Sequence, residues 1–262
     1  DPEHPALDLD GWAKFDADGN ELDEPPQDVD PQGHGTHVSG TVAGGTANGT
    51  HIGVAPGTEL YHAVALRECE PACVVTVAQL VASMEWGVAN NADVLSMSIG
   101  IPGAVEEFVE PVRNANSVGA AVVVSSGTEG DGLALPPANV YDAIGVGAAD
   151  EDGTIAGFSS GDEYDTQSFW GETAPEDWPD EYTVPSVAGP GVDVLSSLPN
   201  SSYGAYSGTS MATPHVAGVL ALAQSATDEQ VSPEELRTAL ETTGWKPDGW
   251  PTPEWEADSR YG

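Results

Sequence analysis

Short apolar runs alternate along this chain with stretches whose apolar positions recur every three to four residues. The runs cover residues 60–66, 93–98, 121–124, 143–147 and 192–195. Each run is too short for a typical helix and is largely apolar on both of its faces. This pattern is typical of strands in a parallel sheet that is covered on both sides.

Helical patterns lie between and after these runs. One helix is predicted by apolar residues that share a single face, namely Val74, Val77, Leu80, Val81, Met84 and Val88. Another is predicted to begin at Ser232, because a proline follows it and Glu235 stands three residues further on, the arrangement of a capping box. Residues 161–182, rich in acidic residues, Trp and Gly, break the rhythm and predict an inserted loop.

Strands that alternate with helices form βαβ units, which build a parallel sheet. Neither a linker nor an internal repeat interrupts the alternation. We therefore predict a single α/β domain over residues 1–262, a mainly parallel β-sheet with helices on both faces.

The net charge of the chain indicates which partners and which solvent conditions to expect. Its 262 residues include 43 Asp and Glu against 6 Lys and Arg, for a formal net charge of −37. Such a charge repels nucleic acids and anionic membrane surfaces, so neither is an expected partner, and no apolar stretch approaches the roughly 20 residues of a membrane span. We interpret the scattered acids as a halophilic surface, on which molar salt screens neighbouring carboxylates. The alternative is an acidic protein from ordinary surroundings that is held together by bound cations.

The two cysteines, Cys69 and Cys73, form a tight pair with a proline between them. This spacing indicates a small disulfide loop in an oxidising compartment, with free thiols as the alternative. A zinc site is disfavoured because a second Cys or His pair at suitable spacing is missing.

Two segments carry candidate chemistry. Residues 33–44 place His34 and His37 among glycines at the start of a helical pattern, which alone is consistent with packing, a weak metal pair or catalysis. Residues 207–218 place Ser210 in a glycine-flanked turn, with Pro214 expected in the first turn of the apolar helix that follows. A serine at a helix N-terminus lies beside free backbone N–H groups and the positive end of the helix dipole, which suit a developing oxyanion.

Together these two segments resemble the signature segments of the subtilisin-like serine proteases, in particular secreted halophilic members. The order of His34 before Ser210 also fits that family. The resemblance extends over most of the chain. Residues 53–57 are similar to the family's stretch before its next strand, residues 93–100 to its substrate-binding strand, and residues 189–191 to the turn before its serine.

The resemblance implies hydrolysis of peptide bonds through an acyl-enzyme, with His34 as general base and Ser210 as nucleophile. It implies structural roles for His37 and His215. The substrate-binding residues that it implies are Ser98, Ile99, Gly100, Ser125, Ser126, Gly127 and Asp30. The first six are expected to form two walls of a pocket for large apolar side chains. Asp30 resembles the family's aspartate beside the next pocket, with a solvated loop acid or a local cap as the alternative.

Two departures from the family's pattern matter. The catalytic aspartate of the family is expected about four residues upstream of Asp1, so we expect the chain to be a fragment of a longer precursor, clipped at both ends and nearly inert as it stands. Thr128 stands where the family has an asparagine whose side chain donates to the oxyanion. The implied oxyanion donors are therefore Thr128, whose reach is short, and the backbone of Ser210.

The resemblance implies no required cofactor and no metal site among the nominated residues, and it allows calcium without identifying ligands. It further implies a protein or peptide substrate, a monomer, a propeptide in the precursor and an extracellular location. Thr128 motivates the first alternative, a catalytically impaired or non-proteolytic relative that binds peptides. An α/β-hydrolase esterase is disfavoured because Ala212 replaces the last glycine of its G-x-S-x-G motif.

Overall fold

A computed structural model describes residues 1–47, 49–65, 74–103 and 105–245 of the chain. The described helices are α1 (His34–Ala43), α2 (Val77–Ala89), α3 (Val109–Ser117), α4 (Thr166–Trp170), α5 (Thr209–Ser225) and α6 (Pro233–Thr243). Short 3-10 turns precede α3 and follow α4. Cys69 and Cys73 lie outside the described residues, so their pairing stays a prediction.

The described strands form one larger sheet and several two-stranded units. They are β1 (Gly11–Lys14), β2 (Thr46–Ala47), β3 (Thr50–His51), β4 (Tyr61–Val64), β5 (Val94–Met97), β6 (Ala121–Ser125), β7 (Ile144–Ala149), β8 (Asp162–Asp165), β9 (Glu181–Val184), β10 (Val187–Pro190), β11 (Val194–Leu198) and β12 (Ser202–Tyr206). The larger sheet has the strand order β10-β7-β6-β5, and all of its pairs are parallel. A separate parallel pair joins β1 to β4.

Strand β6 shows why the larger sheet forms. All five of its residues are buried, and successive side chains point to opposite faces. Val122 and Val124 pack in a cluster with α2 and α3, whereas Ala121 and Val123 pack in a second cluster with α5 and α6. The prediction of an α/β domain with a largely parallel sheet and helices on both faces is therefore confirmed.

The helix starts follow their local sequence. In α6, Ser232 Oγ accepts from the Glu235 backbone N–H while the Glu235 carboxylate accepts from the Ser232 backbone N–H, so the predicted capping box is present. In α2, Leu80 and Met84 are buried as predicted. Val74 was assigned to the same helical face, and this assignment is wrong: α2 begins after Thr76, whose hydroxyl caps it, and Val74 is 53% exposed.

The apolar run at 192–195 was predicted as a strand of the parallel sheet, and this prediction is wrong. Its residues contribute to β11, which pairs antiparallel with β12 outside the larger sheet, while β10 occupies the sheet edge beside β7. One face of β11 lies on α1, where Ser196 Oγ donates to the His37 carbonyl oxygen at 2.8 Å. A short apolar run does not specify which sheet the strand joins.

The prediction of an inserted loop at 161–182 is also wrong. Strands β8 and β9 pair antiparallel across this segment, and α4 lies between them. Four of its aromatic residues are buried in the main core, namely Tyr164, Trp170, Trp178 and Tyr182, and Trp170 Nε1 donates to the Tyr182 hydroxyl at 2.7 Å. Most of the acidic residues that suggested a loop are exposed to solvent. The buried aromatic residues between them pack the segment against the rest of the domain.

Within the described ranges, we find no helix that is both long enough and apolar enough to cross a membrane.

Candidate active site

Ser210 is the second residue of α5. The backbone N–H groups of Met211 and Ala212 donate to the Gly208 carbonyl oxygen at 3.0 and 3.4 Å, which closes the turn before the helix. The N–H of Ser210 belongs to the first turn, whose donors have no partner within the helix. The site therefore offers a hydroxyl and a backbone donor together at the positive end of a buried helix, as required for oxyanion binding.

Pro214 lies at the sixth residue of α5, inside the helix, and the expectation of a first-turn position is wrong. Helix α5 begins as early as Thr209, so Pro214 cannot supply the N–H that would bond to the Ser210 carbonyl oxygen. Ser98 takes that place, because its hydroxyl donates to the Ser210 carbonyl oxygen at 2.7 Å. In return, Ser210 Oγ donates to the Ser98 carbonyl oxygen at 3.3 Å.

His34 is the first residue of α1 and follows a glycine whose conformation is required. Gly33 has φ 76°, and a Cβ atom there would lie 2.1 Å from Pro199 Cδ. Burial lowers the pKa of His34, an effect that the nearby carboxylates of Asp30 and Asp28 partly oppose. The ring is therefore neutral around pH 7 and able to accept a proton.

Asp28 is a carboxylate that the sequence analysis did not single out. It accepts hydrogen bonds from the Thr36 backbone N–H at 2.9 Å and from the Thr36 hydroxyl at 2.6 Å. The amino group of Asp1 also donates to the Thr36 hydroxyl. The only available sequence signal was the Asp-x-Asp pattern just before the first signature segment, and this pattern gives no indication of a contact with Thr36.

His62, on β4, was missed as well. Burial lowers its pKa to about 4. Its Nδ1 lies 2.9 Å from Ser39 Oγ, and its ring stacks on Trp12 with an interplanar angle of 11°. The charges of Asp28 and His34 both affect the pKa of His62. His62 therefore belongs to the same cluster of polar side chains as Asp28 and His34.

Ser98 is the described residue that links the surroundings of His34 to Ser210. His34 and Ser98 line one cavity, and Ser98 is bonded reciprocally to Ser210. No hydrogen bond joins the His34 ring to Ser210 Oγ within the part of the chain that the structure describes. The Ser210 hydroxyl instead donates to the Ser98 carbonyl oxygen.

The predicted substrate walls follow two adjacent strands. Ser98 to Gly100 follow β5, and Ser125 to Gly127 end β6 and continue beyond it, so both segments lie at the carboxyl edge of the sheet. Leu135 closes the space between them: its Cβ lies 2.8 Å from where a Cβ would stand on Gly100, and its Cγ lies 3.1 Å from the corresponding point on Gly127. Sequence patterns gave no sign that Leu135 belongs here.

Thr209 ties one wall to the nucleophile turn. Its buried hydroxyl accepts from the Gly127 backbone N–H at 3.3 Å and donates to the Gly127 carbonyl oxygen at 3.1 Å. Thr209 directly precedes Ser210, so the two segments are held in register by one side chain.

Thr128 and Glu129 lie at the open side of the same wall. The Thr128 methyl carbon Cγ2 lies 3.9 Å from the position that a Cβ would take on Gly208, so the methyl is the Thr128 group nearest to that point. The Glu129 carboxylate accepts from the Thr128 backbone N–H at 2.7 Å and from Ser160 Oγ at 3.2 Å. This arrangement adds a negative charge beside Gly127.

Asp30 makes the bonds of a local cap. Its carboxylate accepts from the backbone N–H groups of Gln32 at 3.0 Å and His34 at 3.3 Å. The contacts of Asp30 are therefore those of the local-cap alternative. Asp30 also lies beside His34, at the candidate site.

His37 and His215 bond to backbone carbonyl groups, as expected for structural side chains. His37 Nε2 lies 2.9 Å from the Val194 carbonyl oxygen, and His215 Nδ1 lies 2.8 Å from that of Met211. In the described part of the chain, no group of three or more His, Cys, Asp or Glu side chains is arranged to hold a metal ion.

Comparisons with known proteins show which family the chain belongs to. The model of the subtilase family matches residues 1–262. The chain is 36% identical to M-protease of Shouchella clausii over 219 residues, which cover 84% of this chain and 50% of that protein. It is 35% identical to subtilisin Savinase of Lederbergia lenta, over 84% of this chain and 71% of that protein.

A third relative covers more of the chain. Subtilisin E of Bacillus subtilis is 33% identical over 252 residues, which are 93% of this chain and 57% of that protein. The chain thus spans about half the length of several of the curated relatives it matches.

Proposed function

The chain belongs to the subtilase family, and from this premise we propose that it is the peptidase domain of a serine endopeptidase that hydrolyses peptide bonds through an acyl-enzyme. The observation that carries this proposal is the setting of Ser210, whose hydroxyl and N–H lie together at the start of α5. A hydroxyl in that position can attack a carbonyl carbon while nearby N–H donors hold the oxyanion.

His34 is the proposed general base. Its lowered pKa keeps the imidazole neutral, the form that accepts a proton from Ser210 and later returns it to the leaving amine. The step needs the Ser210 hydroxyl to turn from the Ser98 carbonyl oxygen toward the ring. The proposed reaction uses only protein side chains and backbone groups, so it requires no cofactor.

The group that orients His34 is proposed to be an aspartate upstream of Asp1. Asp30 and Asp28 are described carboxylates that act on His34 electrostatically, but backbone N–H groups already hold Asp30 and two donors from Thr36 already hold Asp28. An imidazole without an orienting carboxylate loses about 10⁴-fold in turnover. Brisk hydrolysis of casein by residues 1–262 alone would show that Asp28, Asp30 or another described carboxylate takes that role.

The substrate is proposed to be a protein or peptide that binds as an added strand along residues 98–100 and 125–127. Leu135 lies between these walls and supports a preference for apolar side chains before the scissile bond. The Glu129 carboxylate beside Gly127 disfavours acidic side chains. Asp30 is proposed to border the next pocket while it caps the turn before α1. A preference for acidic residues in a cleavage profile of the longer protein would overturn this assignment.

The second candidate function is peptide binding without efficient hydrolysis. Thr128 favours it, because its methyl group is what it turns toward Gly208, so a side-chain donor to the oxyanion is weakened. Both candidate functions use the same peptide-binding walls, residues 98–100 and 125–127, and they differ only in the rate of hydrolysis.

We further propose an extracellular, monomeric protein that matures from a precursor with a propeptide. The family assignment supports this proposal, as does a surface whose net charge of −37 opposes self-association in dilute solution.

A covalent probe tests the nucleophile. The longer protein is treated with a fluorophosphonate, which reacts with activated serines, and the labelled peptide is identified by mass spectrometry. Labelling at Ser210 that is lost in Ser210→Ala and strongly slowed in His34→Ala is the expected result, and Ser207→Ala serves as the matched control. Labelling that is unchanged in Ser210→Ala would refute the proposed nucleophile, whereas labelling with negligible peptide hydrolysis would select the second function.

A further inference from the structure

Residues 128–138 form the loop that follows the proposed substrate wall at the end of β6, and we call them the wall loop. Within it, the Leu135 side chain lies between the two walls, because its Cβ and Cγ come within 2.8 and 3.1 Å of the points where a Cβ would stand on Gly100 and Gly127. Leu135 therefore occupies room that the glycines of the two walls would otherwise leave open. How far a substrate side chain enters this space depends on where the wall loop holds Leu135.

The wall loop is anchored on both sides of Ala134. The Leu133 N–H donates to the Gly161 carbonyl oxygen at 3.1 Å, so the part before Ala134 is held by the start of the segment 161–182. The Leu135 N–H donates to the Ser126 carbonyl oxygen at 2.9 Å, so the part after it is held by the neighbouring wall. The backbone of Ala134 itself bonds to neither of these segments.

Tyr164, the third residue of β8, is the partner of Ala134. Its hydroxyl donates to the Ala134 carbonyl oxygen at 3.2 Å and accepts from the Ala134 N–H at 3.3 Å. Both residues are buried, and among the described residues no other group bonds to the Ala134 backbone. The Ala134 carbonyl group belongs to the peptide bond that leads into Leu135. One hydroxyl therefore fixes the backbone from which the Leu135 side chain extends.

The ring of Tyr164 is held in place by other rings of the same segment. It stacks on Tyr182 with centroids 5.3 Å apart and an interplanar angle of 20°. Phe169 packs against it edge-on, with centroids 4.7 Å apart. A ring packed against two others has little room to move, so its hydroxyl is a fixed point for the wall loop.

We propose that Tyr164 is a positioning residue for substrate selection, which holds Leu135 between the two walls and limits the pocket to short apolar side chains before the scissile bond. This inference rests on the proposed function, because it concerns the same peptide-binding walls. Alanine before the scissile bond fits beside Leu135, whereas leucine requires the wall loop to move. Tyr164 acts on the substrate only through the wall loop.

Kinetics on two matched peptides test the inference. The peptides differ only in having leucine or alanine before the scissile bond, and the measured quantity is the kcat/KM for the leucine peptide divided by that for the alanine peptide. Tyr164→Phe in the longer protein removes the hydroxyl and keeps the ring, so this ratio should rise by about 10-fold, the effect of roughly one methylene of pocket space. A loss of folded protein lowers both values by the same factor and leaves their ratio unchanged.

Tyr182→Phe is the matched control, because the Tyr182 hydroxyl donates at 2.6 Å to the carbonyl oxygen of Asn139, just beyond the wall loop. It should lower the melting temperature and leave the ratio unchanged. Leu135→Ala should raise the ratio, and Tyr164→Phe added to it should raise the ratio no further. An unchanged ratio in Tyr164→Phe, an equal rise in Tyr182→Phe, or additive effects of Tyr164→Phe and Leu135→Ala would overturn the proposal.

Phe169→Ala decides the question if Tyr164→Phe does not fold. Phe169 is 39% exposed, and its truncation loosens the Tyr164 ring without removing a side-chain hydrogen bond. The ratio should rise by a smaller factor than in Tyr164→Phe, and a wild-type ratio in a folded Phe169→Ala would refute the role of Tyr164.

Peptide binding to Ser210→Ala separates this inference from the proposed hydrolysis. The dissociation constants of the two peptides should show the same change of preference on Tyr164→Phe, although no turnover occurs. A changed binding preference in a protein that does not hydrolyse peptides would refute the proposed function alone. Efficient hydrolysis with the same preference in wild type and Tyr164→Phe would refute this inference alone.

Discussion

Thr128 is the proposed side-chain donor to the oxyanion, so we expect the turnover rate to depend on it. Removing one side-chain donor from the oxyanion site of a subtilisin lowers kcat by about 10²–10³-fold. Since Thr128 turns its methyl toward Gly208, Thr128→Asn should restore a donor and raise kcat by up to about 10²-fold, with little change in KM. Steady-state kinetics of the longer protein on a peptide substrate measure both constants.

Thr128→Val is the matched control, because it keeps the shape and removes the hydroxyl. It should leave kcat nearly unchanged if the hydroxyl contributes little. A large loss in Thr128→Val would show that the threonine hydroxyl is the working donor.

His62 should make stability depend on pH. Its folded pKa is about 4, whereas an unperturbed histidine titrates near 6.5. The unfolded chain therefore binds the proton first as the pH falls, so stability is full above about pH 6.5 and decreases toward pH 4. One pKa unit corresponds to about 1.4 kcal/mol, and this residue accounts for a loss on the order of 3 kcal/mol.

Urea unfolding at several pH values measures this contribution. His62→Gln should flatten the pH dependence between about pH 4 and 6.5, whereas His51→Gln, at an exposed histidine, should not. Parallel curves for wild type and His62→Gln would contradict the burial of a neutral His62 in the folded state.

At the scale of elements, the contact between α5 and the end of β6 depends on Thr209. Thr209→Val removes both hydrogen bonds to Gly127. The buried Gly127 N–H then loses the Thr209 hydroxyl as its partner, at a cost of about 1–3 kcal/mol, whereas the Gly127 carbonyl oxygen still accepts from the Ser160 N–H at 3.0 Å. We expect a lower melting temperature together with a raised KM, because Gly127 is part of a proposed substrate wall.

Thr209→Ser keeps the hydroxyl and should restore most of both properties. Calorimetry and steady-state kinetics of the three proteins make the comparison. A variant Thr209→Val with a lower melting temperature but an unchanged KM would limit Thr209 to a structural role.

The segment 161–182 shows how elements override composition. Its acids and glycines favour a loop, yet Trp178 Nε1 donates to Asp142 at 2.7 Å and Tyr182 donates to the Asn139 carbonyl oxygen at 2.6 Å. These bonds lie at one end of the main core and satisfy the polar atoms of large aromatic rings. Tertiary contacts therefore decide whether an aromatic residue of such a segment is exposed in a loop or buried in the core.

At the scale of the whole molecule, charge should set the working conditions. Within the described ranges, Lys14, Arg113 and Arg237 are each already paired with a carboxylate. Most acids are therefore left to repel one another in dilute buffer. Salt at molar concentration shortens the screening length to about 3 Å, so the melting temperature should rise steeply between about 0.05 and 3 M sodium chloride.

The exposed acids Glu106, Glu107 and Glu110 offer a matched test. Replacing all three by glutamine should raise stability at low salt and weaken its dependence on salt. A flat melting temperature in the wild type would refute the halophilic interpretation and would leave the assignments of Ser210 and His34 untouched.

The sequence by itself determined the α/β class, the positions of β4 to β7 and the capping box of α6, because these features follow from periodicity and from contacts a few residues apart. It also nominated His34 and Ser210 through local signature segments, whereas their roles stay a proposal. The position of Pro214 was misjudged because the start of α5 is set by the turn at Gly208 and by Ser98, more than 100 residues away in the chain.

Tertiary structure alone decided which distant groups meet. Asp28, His62, Leu135 and Thr209 have no distinguishing local pattern, and their contacts join segments that only folding brings together. Periodicity reports which faces of an element are buried, but hydrogen bonding between elements depends on their arrangement in space, and that arrangement is a property of the whole packed chain.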